Sequence, residues 1–256
     1  MDASMPFSLE DKVAVITGSS RGIGRATAET MARLGARVVI SSRTAEACEP
    51  VAQAIRAEGG DAAVVACNIS RKNEVEGLIA STEKLYGAPD ILVCNAAVNP
   101  AYGPLAELSD EAFDKIMGSN VKSNLWLCNR VIPAMKQKGG GVIVIISSIA
   151  GIQGNSVIGG YGISKAADFA LARNLAVEHG PDNVRINCIA PGLVKTDFAR
   201  ALWEDEDNLK KRTRTTPLRR IGLPEEIGPV AAFLASPAAS FITGQVIVAD
   251  GGVTIA

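Results

Sequence analysis

The sequence predicts an α/β protein in one domain, residues 1–256, whose seven-stranded parallel sheet is doubly wound by helices on both faces. Three observations predict it. Short β-branched apolar runs alternate with helical patterns from one end of the chain to the other, which requires crossover connections and a sheet covered on both sides. Hydrophobic residues make up 47% of the chain and aromatics only 4%, so the interior is built from Ala, Val, Ile and Leu, as in strands buried on both faces. No internal repeat and no low-complexity linker divides the chain.

The elements follow in order. The first apolar run, 13–17, reads Val-Ala-Val-Ile-Thr, and the pattern over 24–34 that follows carries Ala, Met and Leu at helical spacing. Runs at 37–41 and 63–67 flank a helical pattern at 46–58, and the pattern at 72–85 leads into a run at 91–95. A long helical pattern over 111–136 precedes the run at 142–147, the pattern at 161–178 precedes 185–190, and 224–234 precedes 245–248. One segment breaks the rhythm. Residues 195–222 form an insertion with Trp203, the acidic run Glu204-Asp205-Glu206-Asp207 and the basic run Lys210-Lys211-Arg212. It reads either as a solvated helix pair with complementary charges or as a substrate lid, because long insertions in compact domains often cover active sites.

A formal net charge of −1, with no dense basic cluster, argues against nucleic acid or an anionic membrane as partner and favours a small molecule. Cys48, Cys67, Cys94, Cys128 and Cys188 are widely spaced, form no Cys-x-x-Cys, and read as reduced core residues. His179 is the one histidine and sits near a helix end, where it reads as a cap or surface residue, so no catalytic metal is expected. The opening Met1-Asp2-Ala3-Ser4-Met5-Pro6 lacks a basic segment followed by an apolar one, and no stretch of about 18 apolar residues occurs. The expectation is a cytoplasmic protein.

Thr17-Gly18-Ser19-Ser20-Arg21-Gly22-Ile23-Gly24 follows the first run and opens the first helical pattern. In that context a glycine-rich turn carries meaning. Gly18 permits a tight turn, Gly22 and Gly24 let a pyrophosphate and the neighbouring strand approach the backbone, and the helix N-terminus supplies unpaired amides. The second run ends Ile40-Ser41-Ser42-Arg43, where a dinucleotide-binding fold places the residue that reads the adenosine ribose. No acidic residue stands there. Ser42 and Arg43 offer a hydroxyl and a guanidinium, and Arg21 is placed to reach the same phosphate, so NADP(H) is expected over NAD(H).

Tyr161 and Lys165 lie four residues apart in Tyr161-Gly162-Ile163-Ser164-Lys165, thirteen residues beyond Ser148. On a helix the phenol and the ammonium share one face. A phenol ionises near ~10, and a cation held beside it lowers that value toward working pH, which makes Tyr161 a candidate proton donor and acceptor. Such a pair also occurs on solvated helix faces. The surrounding motifs decide between the two.

Those motifs are Asn95-Ala96-Ala97, Asn120, Ser147-Ser148, Pro191-Gly192, and the ending Thr243-Gly244-Gln245 to Asp250-Gly251-Gly252. Together with the glycine-rich turn and Tyr161/Lys165, in this order, they resemble the short-chain dehydrogenase/reductase family over residues 9–253. The resemblance implies a Rossmann-type domain and an oxidoreductase that interconverts a carbonyl and an alcohol with a nicotinamide cofactor. It implies Tyr161 as acid in reduction and base in oxidation, Lys165 lowering the tyrosine pKa and holding the nicotinamide ribose, and Ser148 hydrogen-bonded to the substrate oxygen. Ser147 is then structural. Asn120 would bend its helix and support a water that leads protons from Lys165 to solvent, or else is simply a polar residue on a buried helix.

For the cofactor, the resemblance implies that Asn68 and Ile69 flank adenine, although many relatives carry Asp at the position of Asn68. Asn95, Ala96 and Ala97 would line the cofactor path, departing from the commoner Asn-Asn-Ala-Gly in the outer residues, Cys94 and Ala97. Pro191, Gly192, Val194 and Thr196 would wrap the nicotinamide end. The variable stretches 98–105, 149–159 and 198–203 would wall the substrate site, and their small or apolar residues suit a hydrophobic ketone, aldehyde or secondary alcohol. Three further readings follow. A 3-oxoacyl-[acyl-carrier-protein] reductase would grip its carrier through basic residues at positions occupied here by Gly139 and Asp182, with Lys136 and Lys138 nearby. A regulator that senses NADP(H) without turnover would have no need of a proton relay. A homotetramer, which the resemblance implies, would be built through the long fourth and fifth helices and the C-terminal strand; in those helices Leu125, Trp126, Leu127, Phe169, Leu171 and Leu175 supply apolar residues that could equally face the core.

Overall fold

In the computed structural model, which describes residues 6–256 apart from the Asn208 side chain, seven strands form one parallel sheet in the order β3-β2-β1-β4-β5-β6-β7. The opening residues 1–5, part of the segment read above for a leader pattern, lie outside the described residues. The strands are β1 (Val13–Thr17), β2 (Arg37–Ser41), β3 (Asp61–Val64), β4 (Ile91–Cys94), β5 (Gly141–Ile146), β6 (Val184–Pro191) and β7 (Val246–Ala249). Between them run α1 (Gly22–Arg33), α2 (Ala45–Ala57), α3 (Lys72–Tyr86), α4 (Asp110–Met117), α5 (Ser123–Gln137), α6 (Gly159–His179), α7 (Glu206–Thr213) and α8 (Pro224–Ala235).

Alternation along each strand feeds two cores. Ala14 and Ile16 point to one face with Val38, Ile40, Val93 and Val144, against Ala28 and Met31 of α1, Val51 of α2 and Ala231 of α8. Val15, Val39, Leu92 and Ile143 point to the other, against Leu78 of α3, Leu127 and Val131 of α5 and Ala172 of α6. Both sets are buried, which is why the runs read as continuous apolar stretches. Each such Val, Leu or Ile contributes about 1.5–3 kcal/mol by leaving water. Leu127, Phe169 and Leu175, offered above for a subunit interface, are spent on this second core, whereas Leu125 is exposed.

Two boundaries differ from the sequence reading. β3 occupies 61–64 instead of 63–67, because its ladder with β2 ends at Ile40↔Val64. Beyond it, single bonds from Val65 N to Ile40 O and Cys67 N to Ser42 O carry the chain to Asn68. The helix expected over 111–136 is α4 and α5 joined by a π turn, Gly118–Lys122. There the Ser123 hydroxyl donates to Ser119 O at 2.6 Å and the Asn124 amide to Asn120 O at 2.6 Å, so side chains serve carbonyls in the widened turn.

The sheet order reverses direction between β1 and β4, and in open α/β sheets ligands bind outside the strand ends at such a switch point. The insertion opens after β6. A bridge between Val194 and Gly222 closes its neck, with Lys195 N to Gly222 O and Gly222 N to Leu193 O each at 2.9 Å. Beyond that neck a 3-10 segment, Asp197–Leu202, precedes α7, so one short helix carries Glu206, Asp207 and the basic run, with Glu204 and Asp205 just before it and Lys210 facing Glu206 and Asp207.

Candidate active site

At the switch point the glycine-rich turn is packed to backbone contact. A side-chain carbon on Gly24 would lie 2.5 Å from Gly18 O and from Asn95 Nδ2, and Gly18 and Gly22 have φ of +64° and +57°, where other residues are strained. Asn95, just past β4, fastens the turn: its amide donates to Thr17 O at 2.9 Å and Gly18 O at 3.0 Å, while the Thr17 hydroxyl accepts from Asn95 N and Ala96 N. Arg21 stands at the N-cap of α1 without a side-chain cap bond, so the first amides of the helix have no such acceptor. Ser20 and Ile23 are half-buried beside it. The shape and the free amides of this cradle fit an anionic pyrophosphate.

At the end of β2, Ser42 donates to Thr44 O at 3.1 Å and Arg43 is exposed. Arg21, offered for the same phosphate, points instead to the insertion, 3.4 Å from Asp197. Asn68 turns the chain after β3 by accepting from Ser70 N, and Ile69 is buried beside it. Ala96 packs on the α3/α5/α6 core, and half-buried Ala97 follows it. Pro191 ends β6, and Gly192 is so close to Asp250 that a side-chain carbon would meet its backbone at 2.8 Å. Val194 is buried at the insertion neck, and Thr196 sits over Gly22, accepting from Trp203 Nε1 through its carbonyl.

α6 brings the chemistry to this edge. Tyr161 and Lys165 are both buried, with Lys165 Nζ 5.6 Å from the phenol ring centre. Ser148 follows β5, accepts from Ala150 N at 3.1 Å, and its hydroxyl acts on the phenol; Ser147 instead donates to Lys165 O at 2.9 Å. Asn120, in the π turn, clasps Val98 through both N and O, and donates to Ser164 Oγ at 3.0 Å, which donates to Tyr161 O. The four residues named for catalysis therefore meet around one helix.

The electrostatics differ from the sequence reading. Burial has the largest influence on Tyr161 and holds its phenol above the ordinary tyrosine value; Lys165 and Ser148 pull it down, Asp168 and Tyr102 push it up. Asp168 was not anticipated. Its carboxylate is buried 3.0 Å from Lys165 Nζ, and it accepts from Asn124 at 3.0 Å. Burial opposes the charge on Lys165, yet Asp168 and then Tyr161 outweigh it and hold the ammonium above its usual value.

The insertion reaches the same place. Phe198 lies against Tyr161, ring centres 5.9 Å apart. A cavity of about 90 Å³ adjoins the phenol, lined among others by Tyr102, Leu105, Leu108, Ile116 and Val157. A larger concavity, about 610 Å³, lies elsewhere, among Phe7, Glu10, Arg33 and Glu58, and holds none of these residues. All five thiols are buried and unbridged, and among the described residues no three His, Cys, Asp or Glu side chains converge as a metal cluster. No helix among them is long and apolar enough to cross a membrane.

The chain is similar to known proteins along most of its length. A family model described as enoyl-(acyl carrier protein) reductase matches residues 18–254. The chain is 43% identical over 247 residues to dehydrogenase/reductase SDR family member 4 of Oryctolagus cuniculus, covering 95% of this chain and 94% of that one. Among solved structures it is similar to a 7α-hydroxysteroid dehydrogenase complexed with NADH and 7-oxo glycochenodeoxycholic acid, with a TM-score of 0.93, 37% identity and 98% of each chain covered. A gluconate 5-dehydrogenase from Burkholderia cenocepacia J2315, in complex with NADP and tartrate, also gives a TM-score of 0.93, at 31% identity with 98% of each chain covered.

Proposed function

Because the chain belongs to the short-chain dehydrogenase/reductase family, oxidoreductases acting on CH–OH groups with NAD(P), we propose that it interconverts a ketone or aldehyde with its alcohol, preferring NADP(H). One observation carries the reading: Tyr161 and Lys165, buried one helical turn apart beside Ser148, stand at the edge where the glycine-rich turn ends. A bound nicotinamide supplies or accepts the hydride, and with it the electron pair of the exchange.

This chain's residues do the rest. Gly18, Ser20, Gly22, Ile23 and Gly24 would hold the pyrophosphate, Ser42 and Arg43 the 2′-phosphate, with Arg21 joining them on leaving Asp197, and Asn68 and Ile69 the adenine. Asn95, Ala96 and Ala97 line the path, and Pro191, Gly192, Val194 and Thr196 hold the nicotinamide end. In reduction Tyr161 gives its proton to the carbonyl oxygen while Ser148 donates a hydrogen bond to it; in oxidation Tyr161 takes the proton back. Lys165 offers its remaining N–H to the nicotinamide ribose, and Asn120 fixes the helix behind Tyr161. The insertion 195–222 is the lid, since Phe198 closes over the phenol.

Exposed Tyr102, Leu105, Ile152, Val157 and Phe198 support a hydrophobic substrate. Carrier-protein delivery is disfavoured: Lys136 is paired with Asp182 at 2.9 Å and Lys138 with Asp90, leaving neither free to grip an acidic partner. The buried thiols support a reducing compartment, the cytoplasm. A panel of ketones and aldehydes, assayed by loss of reduced-nicotinamide absorbance, tests the activity; no turnover of any carbonyl would leave a cofactor-sensing regulator. With NADPH and NADH in parallel, Arg43→Asp is expected to reverse a preference for NADPH by about 10-fold or more, the effect of one charge-assisted contact at ~1.5–3 kcal/mol. An unchanged preference rejects the assignment.

A homotetramer is the assembly we propose, supported by exposed Leu125 on α5, Val177 on α6, Val248 on the edge strand β7 and Phe241 in the segment before it. Sedimentation should give four times the 26.6 kDa of one chain, and a mass of one chain would contradict it.

A further inference from the structure

The three N–H groups of Lys165 are nearly all accounted for inside the protein. One donates to Ile146 O at 2.9 Å and one to Asp168 Oδ2 at 3.0 Å, leaving a single donor for the cleft. Asp168 is three residues further along α6, on the same face, and is fully buried. Its other oxygen accepts from Asn124 Nδ2 at 3.0 Å, and the same amide donates to Asn120 O at 2.6 Å. The π turn therefore has a consequence in the site: it places Asn124 where its amide ties the Asn120 carbonyl to the carboxylate that holds Lys165.

We infer that Asp168, seated by Asn124, is a positioning residue for Lys165 that cancels its charge and keeps Tyr161 as the phenol, the form that donates a proton. The inference rests on the acid/base reading of Tyr161. With Tyr161 neutral, the ammonium and the carboxylate sum to zero. Ionising the phenol then leaves the buried cluster with a net negative charge, which burial opposes. Without Asp168 the same ionisation takes the cluster from positive to neutral, and is favoured.

Other ionisable groups face the cluster from each element packed on it. They are Tyr102 from the loop before α4, Cys94 on β4, Cys128 on α5, Cys188 on β6 and exposed Arg173 on α6. Cys94 is held up as a thiol, first by its hydrogen bond with Cys128 and then by burial, and Cys188 by burial. Lys165 and Asp168 are thus the pair of opposite charges in direct contact at the site.

The test titrates Tyr161 in cofactor-free protein by ¹³Cζ-tyrosine NMR. With Tyr86, Tyr102 and Tyr161 the only tyrosines, Tyr161→Phe identifies the resonance. In the wild type the midpoint should lie above the free value of ~10; a midpoint at or below it overturns the inference without any variant. Asp168→Asn should lower the midpoint by about 1 pH unit or more, a tenfold change in proton affinity. Asp168→Ser, which opens space for water, should move it in the same direction if the amide is not tolerated, and Asp168→Glu should hold it near the wild type. An unchanged or raised midpoint in a folded neutral variant overturns the inference. The alkaline limb of carbonyl reduction should move with the midpoint. If the resonance shifts while the wild type reduces no carbonyl, the charge device stands and the proposed activity falls.

Discussion

Tyr161→Phe is expected to lower carbonyl turnover by about 10²–10⁴-fold, the range for loss of a positioned general acid, while the cofactor still binds. The substitution removes one hydroxyl and little else. The ring remains to pack on Phe198 and under Lys165, and none of the glycine-rich turn is touched. The residual activity should also lose a feature of the wild-type pH profile. Because burial raises the Tyr161 pKa, the phenol persists through the neutral range, so reduction should be level there and fall only as pH climbs through that raised value. Oxidation, which needs the phenolate, should rise over the same interval. Tyr161→Phe should show neither limb. Steady-state rates from pH 6 upward, with cofactor binding followed by fluorescence, check both parts; near-normal turnover would remove Tyr161 from its proposed role.

Much of the scaffold behind that residue is legible in the chain. The runs at 13–17 and 37–41 become β1 and β2 without adjustment, since Val-Ala-Val-Ile and Val-Val-Ile have no surface to lose between two cores. Legibility fails where side chains compete with the ladder. Ser119, Asn120, Ser123 and Asn124 fit a helical period as well as their neighbours, and nothing in that period announces a π turn; only the resemblance, which implies a bend at Asn120, marks the place where the Ser123 and Asn124 side chains donate to two carbonyls of the widened turn.

The site divides in the same way. Tyr161, Lys165, Ser148 and Asn120 stand in motifs whose spacing is fixed along the chain. Asp168 does not, although Lys165-Ala166-Ala167-Asp168 is an i, i+3 charge pair that a helical reading contains. On a surface such a pair contributes little. Whether it is buried depends on α5, β5 and β6 closing over it, and those contacts are remote in sequence. Phe198 differs: the stretch 198–203 reads as a wall of the substrate site, but its contact with Tyr161 depends on how the insertion folds back and is not written in the local sequence.

Lys165→Met is expected to damage fold and activity together, in a way that separates the two. Among the described residues Lys165 is the largest fully buried side chain, and its loss strands Asp168 as an unpaired carboxylate, a change that costs about 3–5 kcal/mol and a Tm lower by roughly 6–20 °C. The protein relieves that cost by protonating Asp168, whose carboxyl burial already pushes up against the pull of Lys165. The sign follows from linkage. In the variant the folded state holds a proton that the unfolded Asp, at its ordinary ~3.9, has released, so the variant loses stability relative to the wild type as pH rises from about 4 toward and past neutrality. Thermal unfolding at pH 5 and pH 8 should therefore show the wider gap at pH 8. Adding Asp168→Leu to Lys165→Met removes the stranded charge and should recover most of the Tm, since an apolar pair can replace a buried ion pair with little loss. Turnover should not return with it, because the ammonium beside Tyr161 is still missing. A double variant that regained activity along with stability would reduce Lys165 to a structural residue, and the proton chemistry assigned to this helix would need another cation.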